Sequence, residues 1–116
     1  MTVEETIFSK IIRKEIPATI VYESDKVLAF RDIYPKAPVH ILVIPKKVIS
    51  GVSSARPEDK ELLGELLLVA AELATKEGID KSGYRLVVND GKDAGQAVDH
   101  LHVHILGGRE MEWPPG

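Results

Sequence analysis

From His100 to Leu106 the chain reads HLHVHIL, an imidazole at every second position with aliphatic side chains between. Only an extended strand sends successive side chains to opposite sides, so this period of two constrains the local fold more than any other feature of the sequence. On a strand, His100, His102 and His104 share one face while Leu101, Val103 and Ile105 turn toward the core. Three imidazoles in a dry interior would each need polar partners, so the histidine face is predicted to open on a ligand or on water. The run holds three of the four histidines of the chain; the fourth is His40.

Around this strand the pattern predicts a short helix over IFSKIIRKE (7–15), capped by Thr6 and ended at Pro17. TIVYE (19–23) and KVLAFRD (26–32) read as two strands of a hairpin that turns at Ser24-Asp25. The loop IYPKAP leads to a β-branched strand, VHILVIP (39–45). One long helix follows, with Pro57 at its first position, Glu58, Asp59 and Glu61 at its positive end, and Gly78 as its stop. Leu62, Leu63, Leu66, Leu67, Ala70, Leu73 and Ala74 form its apolar stripe. YRLVVND (84–90) reads as a strand, GKDAGQA as a loop, and HLHVHIL as the last strand. Strands that cluster as neighbours, divided by a single long helix, predict an α+β fold: an antiparallel sheet of about five strands with its helices on one face. The expectation is a single domain over 1–116, with an N-terminal tail (1–5) and a C-terminal tail (107–116) too rich in Gly and Pro for regular structure.

Composition removes several classes of function. With 15 basic against 18 acidic residues the net charge is −3, the opposite of the basic footprint of a nucleic-acid binder or of a polybasic membrane-surface protein. Any bound phosphate is then held by local groups rather than by a global field. No cysteine is present, which excludes disulfides, thiolate metal sites and cysteine nucleophiles and fits a reducing compartment. The acidic MTVEETIFSK start is unlike a signal peptide, and no apolar run approaches the ~18 residues of a membrane span. A cytoplasmic location is expected.

Two chemistries compete for the alternating histidines. A zinc ion wants three or four ligands at about 2 Å, but His100 and His104 stand about 13 Å apart along an extended strand. Three ligands converge only through a bulge, and Asp93 and Asp99 are the only nearby carboxylates. A relay suits the spacing better: one imidazole attacks or accepts a proton while its neighbours fix its tautomer or donate to a developing anion. Rings two residues apart lie side by side, where one phosphate can touch both. Gly91 and Gly95 in NDGKDAGQA let backbone N–H groups approach an anion closely; a plain hairpin loop is the competing account.

HLHVHILGG fits the alternating pattern of the histidine-triad family of nucleotide hydrolases and transferases. With TIFSKIIRKEIPA, LAFRDIYPKAPVHILVIPKK, LLGELL, GYRLVVNDG and the closing WPPG, the chain resembles the Hint branch, the purine nucleoside phosphoramidases, over all but its first five residues. The resemblance implies a HIT-like fold whose sheets join across a two-fold homodimer. It further implies that His102 attacks the α-phosphorus, that His104 donates to a phosphoryl oxygen, and that His100 orders the pair. His40 matches a histidine lying beside the triad and is implied among the catalytic residues, with a satisfied core histidine as the competing account. Asp32 is implied as acceptor for both ribose hydroxyls, and Phe8, Ile11, Phe30 and Ile33 as the purine slot, with ordinary core packing as the competing account for these four. Asn89 and the backbone of Gly95 and Gln96 are implied as phosphate contacts. The tail around Trp113 is implied to reach toward the partner subunit's site, with simple end-packing as the competing account.

The implied reaction is hydrolysis of the P–N bond of AMP or GMP phosphoramidates through a nucleotidyl-histidine. It calls for no metal and no cofactor, and for neither nucleic acid nor membrane as partner. One departure bears on rate: Ala97 stands where the branch commonly has a serine that assists the leaving amine. Ala97 keeps its backbone N–H but lacks the hydroxyl, and one positioned hydrogen bond of this kind is worth ~10²-fold in rate. The alternative is therefore a purine mononucleotide-binding regulatory module with weak catalysis.

Overall fold

The computed structural model describes residues 5–116. Its elements run α1 (Ile7–Ile12), β1 (Ile20–Glu23), β2 (Val27–Arg31), β3 (Val39–Pro45), α2 (Lys60–Lys76), β4 (Tyr84–Val87) and β5 (Val103–Gly107), with two short 3-10 turns ahead of α2. All five strands join one antiparallel sheet in the order β1-β2-β3-β5-β4. This is the expected α+β architecture.

The alternation of β2 and β3 shows how the sheet is used. Val27 and Ala29, then Ile41 and Val43, turn to one face and meet Leu66, Val69, Ala70, Leu73 and Ala74 of α2. Those helical positions repeat at i, i+3, i+4, i+7 and i+8, an apolar stripe that fits a flat sheet. Leu28 and Phe30, then Leu42 and Ile44, turn to the other face and pack with Phe8 and Ile11 of α1. β2 is therefore buried from Val27 to Phe30, as expected of a strand covered on both sides.

Several sequence expectations are corrected. The helices cover opposite faces of the sheet rather than one, because α1 carries its own apolar pair, Phe8 and Ile11, to the side α2 leaves open. α1 stops at Ile12, and Lys14 adopts a left-handed φ of 63° just beyond it. The α-helical part of α2 begins at Lys60, after a 3-10 turn over Pro57–Asp59 held by Asp59, whose carboxylate accepts the Arg56 N–H. Leu67 lies outside the stripe and is exposed, while Val69 is buried in its place. β4 ends at Val87 and β5 starts at Val103. Ser24 does turn the β1–β2 hairpin, its hydroxyl accepting the Val27 N–H. Gly78, at φ 76°, stands just past the end of α2. Among the described residues, no helix is long and apolar enough to cross a membrane.

Candidate functional site

The α1 side of the sheet holds a cavity of about 300 Å³ beside the histidines. Register explains how they meet. Leu42 of β3 stands opposite His104 of β5, and His40 opposite Leu106. His40 and His104 are thus diagonal neighbours on one face, within reach of ring side chains. Their ring centroids are 5.2 Å apart, and His102 lies 4.9 Å from His104.

The expectation that His100, His102 and His104 form one open face of a strand is corrected. His100 is fully buried and His102 is 5% exposed, and both precede the first residue of β5. The segment is tied to the end of β3 instead: the Leu101 N–H donates to Ile49 O at 2.7 Å, and His100 Nε2–H to Pro45 O at 2.8 Å. Each ring finds its partner individually, which is how three imidazoles survive out of water.

These partners assign the tautomers. A carbonyl oxygen only accepts, so His102 Nδ1, 2.6 Å from His100 O, carries a proton and leaves a lone pair on Nε2. His40 Nδ1 accepts the Lys36 N–H at 3.0 Å, so the proton of neutral His40 sits on Nε2. That nitrogen is 2.9 Å from His104 Nδ1, which must then accept, placing the His104 proton on Nε2. His100 Nδ1 is the one fully buried side-chain nitrogen or oxygen without a partner among the described residues. The Nε2 atoms of His102 and His104, which have no protein partner either, therefore open onto the cavity that both residues line.

Burial favours the neutral form of His104, His40 and His100. The His104 pKa is pushed down to about 4, chiefly by desolvation and then by the neighbouring His102 and His40, with Asp32 opposing. Desolvation also lowers His40 and His100.

Of the other expected residues, Asp32, Ile33, Phe8, Ile11, Phe30 and Ala97 all line the cavity. Phe8, Ile11 and Phe30 serve at the same time as core, whereas Ile33 is 78% exposed at the rim. Asp32 follows β2 and is fixed twice: its N–H donates to His40 O, and its Oδ1 accepts the Tyr34 N–H at 2.8 Å. The N–H groups of Gly95 and Gln96, expected at the phosphate, donate inside the loop to Lys92 O and Gly91 O. The Gln96 side chain is equally committed, accepting from Gly91 N–H and donating to Ser50 O and Val98 O. Asn89 lies half-buried beyond β4 and is not part of the cavity wall. Ile7, Ile16, Pro17, Ala18, Arg31, Tyr34, Leu42 and Val98 complete the lining without having been expected. Leu42 was readable, since alternation along β3 places it on the His40 face. The Ile16–Ala18 turn carried no such signal.

Asp32, His40 and His104 each offer one ligand atom, and these lie within 4.8 Å of one another. Spacing alone admits a divalent ion, but the hydrogens do not. A histidine that ligates through one nitrogen donates the proton of the other to an acceptor, whereas His40 Nδ1 faces a donor, the Lys36 N–H. The set does not fit a resident metal.

A model of the HIT domain matches residues 13–111. The chain belongs to the HIT family. It is 61% identical over 113 residues to an uncharacterised HIT-like protein of Synechocystis, covering 97% of this chain and 98% of that one. It is 58% identical over 113 residues to a Zea mays protein named 14 kDa zinc-binding protein, covering 96% and 88%. Among solved structures, a HIT family hydrolase from Legionella pneumophila superposes with a TM-score of 0.94 at 51% identity, covering 97% of this chain and all of that one. A histidine triad nucleotide-binding protein from Candida albicans superposes at 0.82 with 32% identity, covering 95% and 83%.

Proposed function

We propose that this HIT protein is a hydrolase of the Hint branch that cleaves the P–N bond of purine nucleoside 5′-phosphoramidates of the AMP-NH2 or AMP-lysine type. The observation that carries the proposal is the bare Nε2 of His102, a ring fixed by its Nδ1–H donating to the His100 carbonyl, opening on a cavity that also contains a carboxylate and an apolar slot. The relatives from Legionella pneumophila and Candida albicans, named a hydrolase and a nucleotide-binding protein, support the same reading.

In the proposed reaction the His102 Nε2 lone pair attacks the α-phosphorus. The P–N bond breaks, and its electron pair departs with the amine, which takes up a proton. Water then attacks the nucleotidyl-histidine; the P–Nε2 bond breaks, the nucleoside monophosphate leaves, and the imidazole is restored. His104 Nε2–H donates to a phosphoryl oxygen as charge develops there, and His100 orders the pair through its carbonyl. Asp32 accepts from the ribose hydroxyls. Phe8, Ile11, Phe30 and Ile33 hold the base; these four offer no polar side chain to its edge, so AMP and GMP derivatives are both accepted. With the Gly95 and Gln96 N–H groups donating inside the loop, the N–H groups of Ala97 and Val98, which have no acceptor among the described residues, join in the phosphate contact. No metal or cofactor enters. The active form is a two-fold homodimer, with the tail around Trp113 reaching toward the partner's site.

Steady-state turnover of adenosine 5′-phosphoramidate tests this reading. The wild type is expected to turn over and to show a nucleotidyl adduct on His102 by mass spectrometry after rapid quenching. His102→Ala should bind AMP without turnover; substantial turnover by that variant would remove His102 from the nucleophile role. Ala97, which supplies no hydroxyl at the cavity, favours one second reading, a regulatory nucleotide-binding module. Tight AMP binding with no measurable turnover by the wild type would select it.

A further inference from the structure

His40 does not itself line the cavity, yet it is buried, and both of its ring nitrogens are engaged by protein atoms. A buried histidine with two committed nitrogens has lost the freedom to choose a tautomer. What fixes it is a backbone group. The N–H of Lys36 is a donor under all conditions and can point only at a lone pair, so His40 Nδ1 is bare and its proton is on Nε2. The loop that supplies this N–H is held in turn from the C-terminal side: Arg109 Nε–H donates to Lys36 O at 3.0 Å, and Gly108, at φ 88°, runs against Pro38 so closely that an added Cβ would stand 2.9 Å from the Pro38 ring. Asp32 Oδ2, the other acceptor near His40 Nε2, is at 3.5 Å, against 2.9 Å for His104 Nδ1. The shorter contact takes the proton.

We propose that His40 is a positioning residue: relaying the fixed polarity of the Lys36 N–H, it forces His104 to present a donor, Nε2–H, rather than a lone pair to the cavity. This rests on the proposed phosphoramidase reading for its consequence and on geometry alone for its existence. Were His104 to adopt the opposite tautomer, a lone pair would face the anionic phosphoryl oxygen, and an attraction would become a repulsion. The same relay accounts for the misfit of the Asp32, His40 and His104 cluster to a metal, since an ion at His40 Nε2 would set two donors, Nδ1–H and the Lys36 N–H, against each other.

The test pairs a spectroscopic readout with kinetics on the full chain. Two-bond ¹H–¹⁵N correlation of the wild type, with no ligand present, should show His40 and His104 as single Nε2–H tautomers and His102 as the Nδ1–H tautomer. His40→Leu removes both contacts; His104 should then lose its single tautomer, and kcat on adenosine 5′-phosphoramidate should fall at least about tenfold with KM within about twofold. His40→Gln can return an amide N–H to His104 Nδ1 and should recover most of that kcat. An Nδ1–H tautomer at His104 in the wild type overturns the proposal outright, even if His40→Leu fails to fold. Unchanged kcat in folded His40→Leu overturns it too. A wild type without turnover defeats the phosphoramidase reading alone, because the tautomers are read without substrate.

Discussion

At the scale of single residues, the site depends on uncharged rings. A histidine whose pKa is lowered by folding binds its proton more readily when unfolded, so the linkage has a definite sign. With His104 near 4 in the fold and near 6.5 unfolded, its contribution to stability is complete above about pH 6.5. It is lost progressively as the pH falls toward 4. His40 and His100, lowered by burial as well, act in the same direction. We expect the His104 ring to titrate by NMR with a midpoint near 4, and the urea midpoint to decline already between pH 6.5 and 5, before most carboxyls protonate. A His104 midpoint at or above 6.5 would show the ring to be solvated and would remove the desolvation argument. His100 adds a constant cost, because its bare, buried Nδ1 forgoes a hydrogen bond worth about 1–3 kcal/mol. The segment accepts this to plant the ring on Pro45 O and the main chain beneath His102.

At the scale of elements, β5 shows what a sequence can and cannot disclose. The alternation HLHVHIL identified correctly that Leu101, Val103 and Ile105 are core. It did not disclose that the ladder begins only at Val103, since side-chain period is set by the chain's own extension, whereas ladder membership depends on which backbone lies alongside. Ile49 and Pro45 capture residues 100 and 101 first. β3 was readable from end to end because Val39, Ile41, Val43 and Ile44 are β-branched and Pro45 stops the run. The side chosen by α1 was not, because an apolar pair such as Phe8 and Ile11 fits either face and only the position of α2 decides. In the site, His40, Asp32 and the triad were visible as residues, and their tautomers were not, since the deciding group is a backbone N–H with no signature in the sequence.

The end of β5 carries an element-scale prediction. Gly107 pairs with both Val39 and Tyr84, and a Cβ there would lie 2.5 Å from Ile79 Cδ1 and 3.2 Å from Ile79 Cβ. Gly107→Ala should therefore cost about 1–3 kcal/mol through overpacking. Ile79→Val, which removes Cδ1, should recover part of that cost in the double variant, giving a coupling above about 0.5 kcal/mol in urea denaturation. Additive effects would mean that Ile79 moves aside freely and that the strand end is not pinned to the residue after Gly78.

At the scale of the whole molecule, the remaining asymmetry lies in what is left uncovered. α2 satisfies the sheet with one stripe, yet Leu67 and Leu68 stand on its outer side at 49% and 73% exposure, and Val88 is exposed just past β4. β4 is bonded to the sheet only through β5, so its other edge presents a row of unpaired N–H and C=O groups, which soluble proteins tend to cover. A chain of 116 residues buries a smaller fraction of its surface than a larger domain does, and a two-fold contact would cover the edge and the helix side chains in one step. The proposed homodimer thus answers to two independent features of the subunit. Sedimentation equilibrium at micromolar concentration should return twice the 12.8 kDa chain mass. Leu68→Glu, at a position too exposed to alter subunit stability by more than about 0.5 kcal/mol, should weaken that association at least about tenfold while leaving the urea transition of the dilute subunit in place. A wild type that sediments at the mass of one chain would sink the dimer and leave the exposed leucines without an account. A dimer indifferent to Leu68→Glu would instead place the contact on the β4 edge alone.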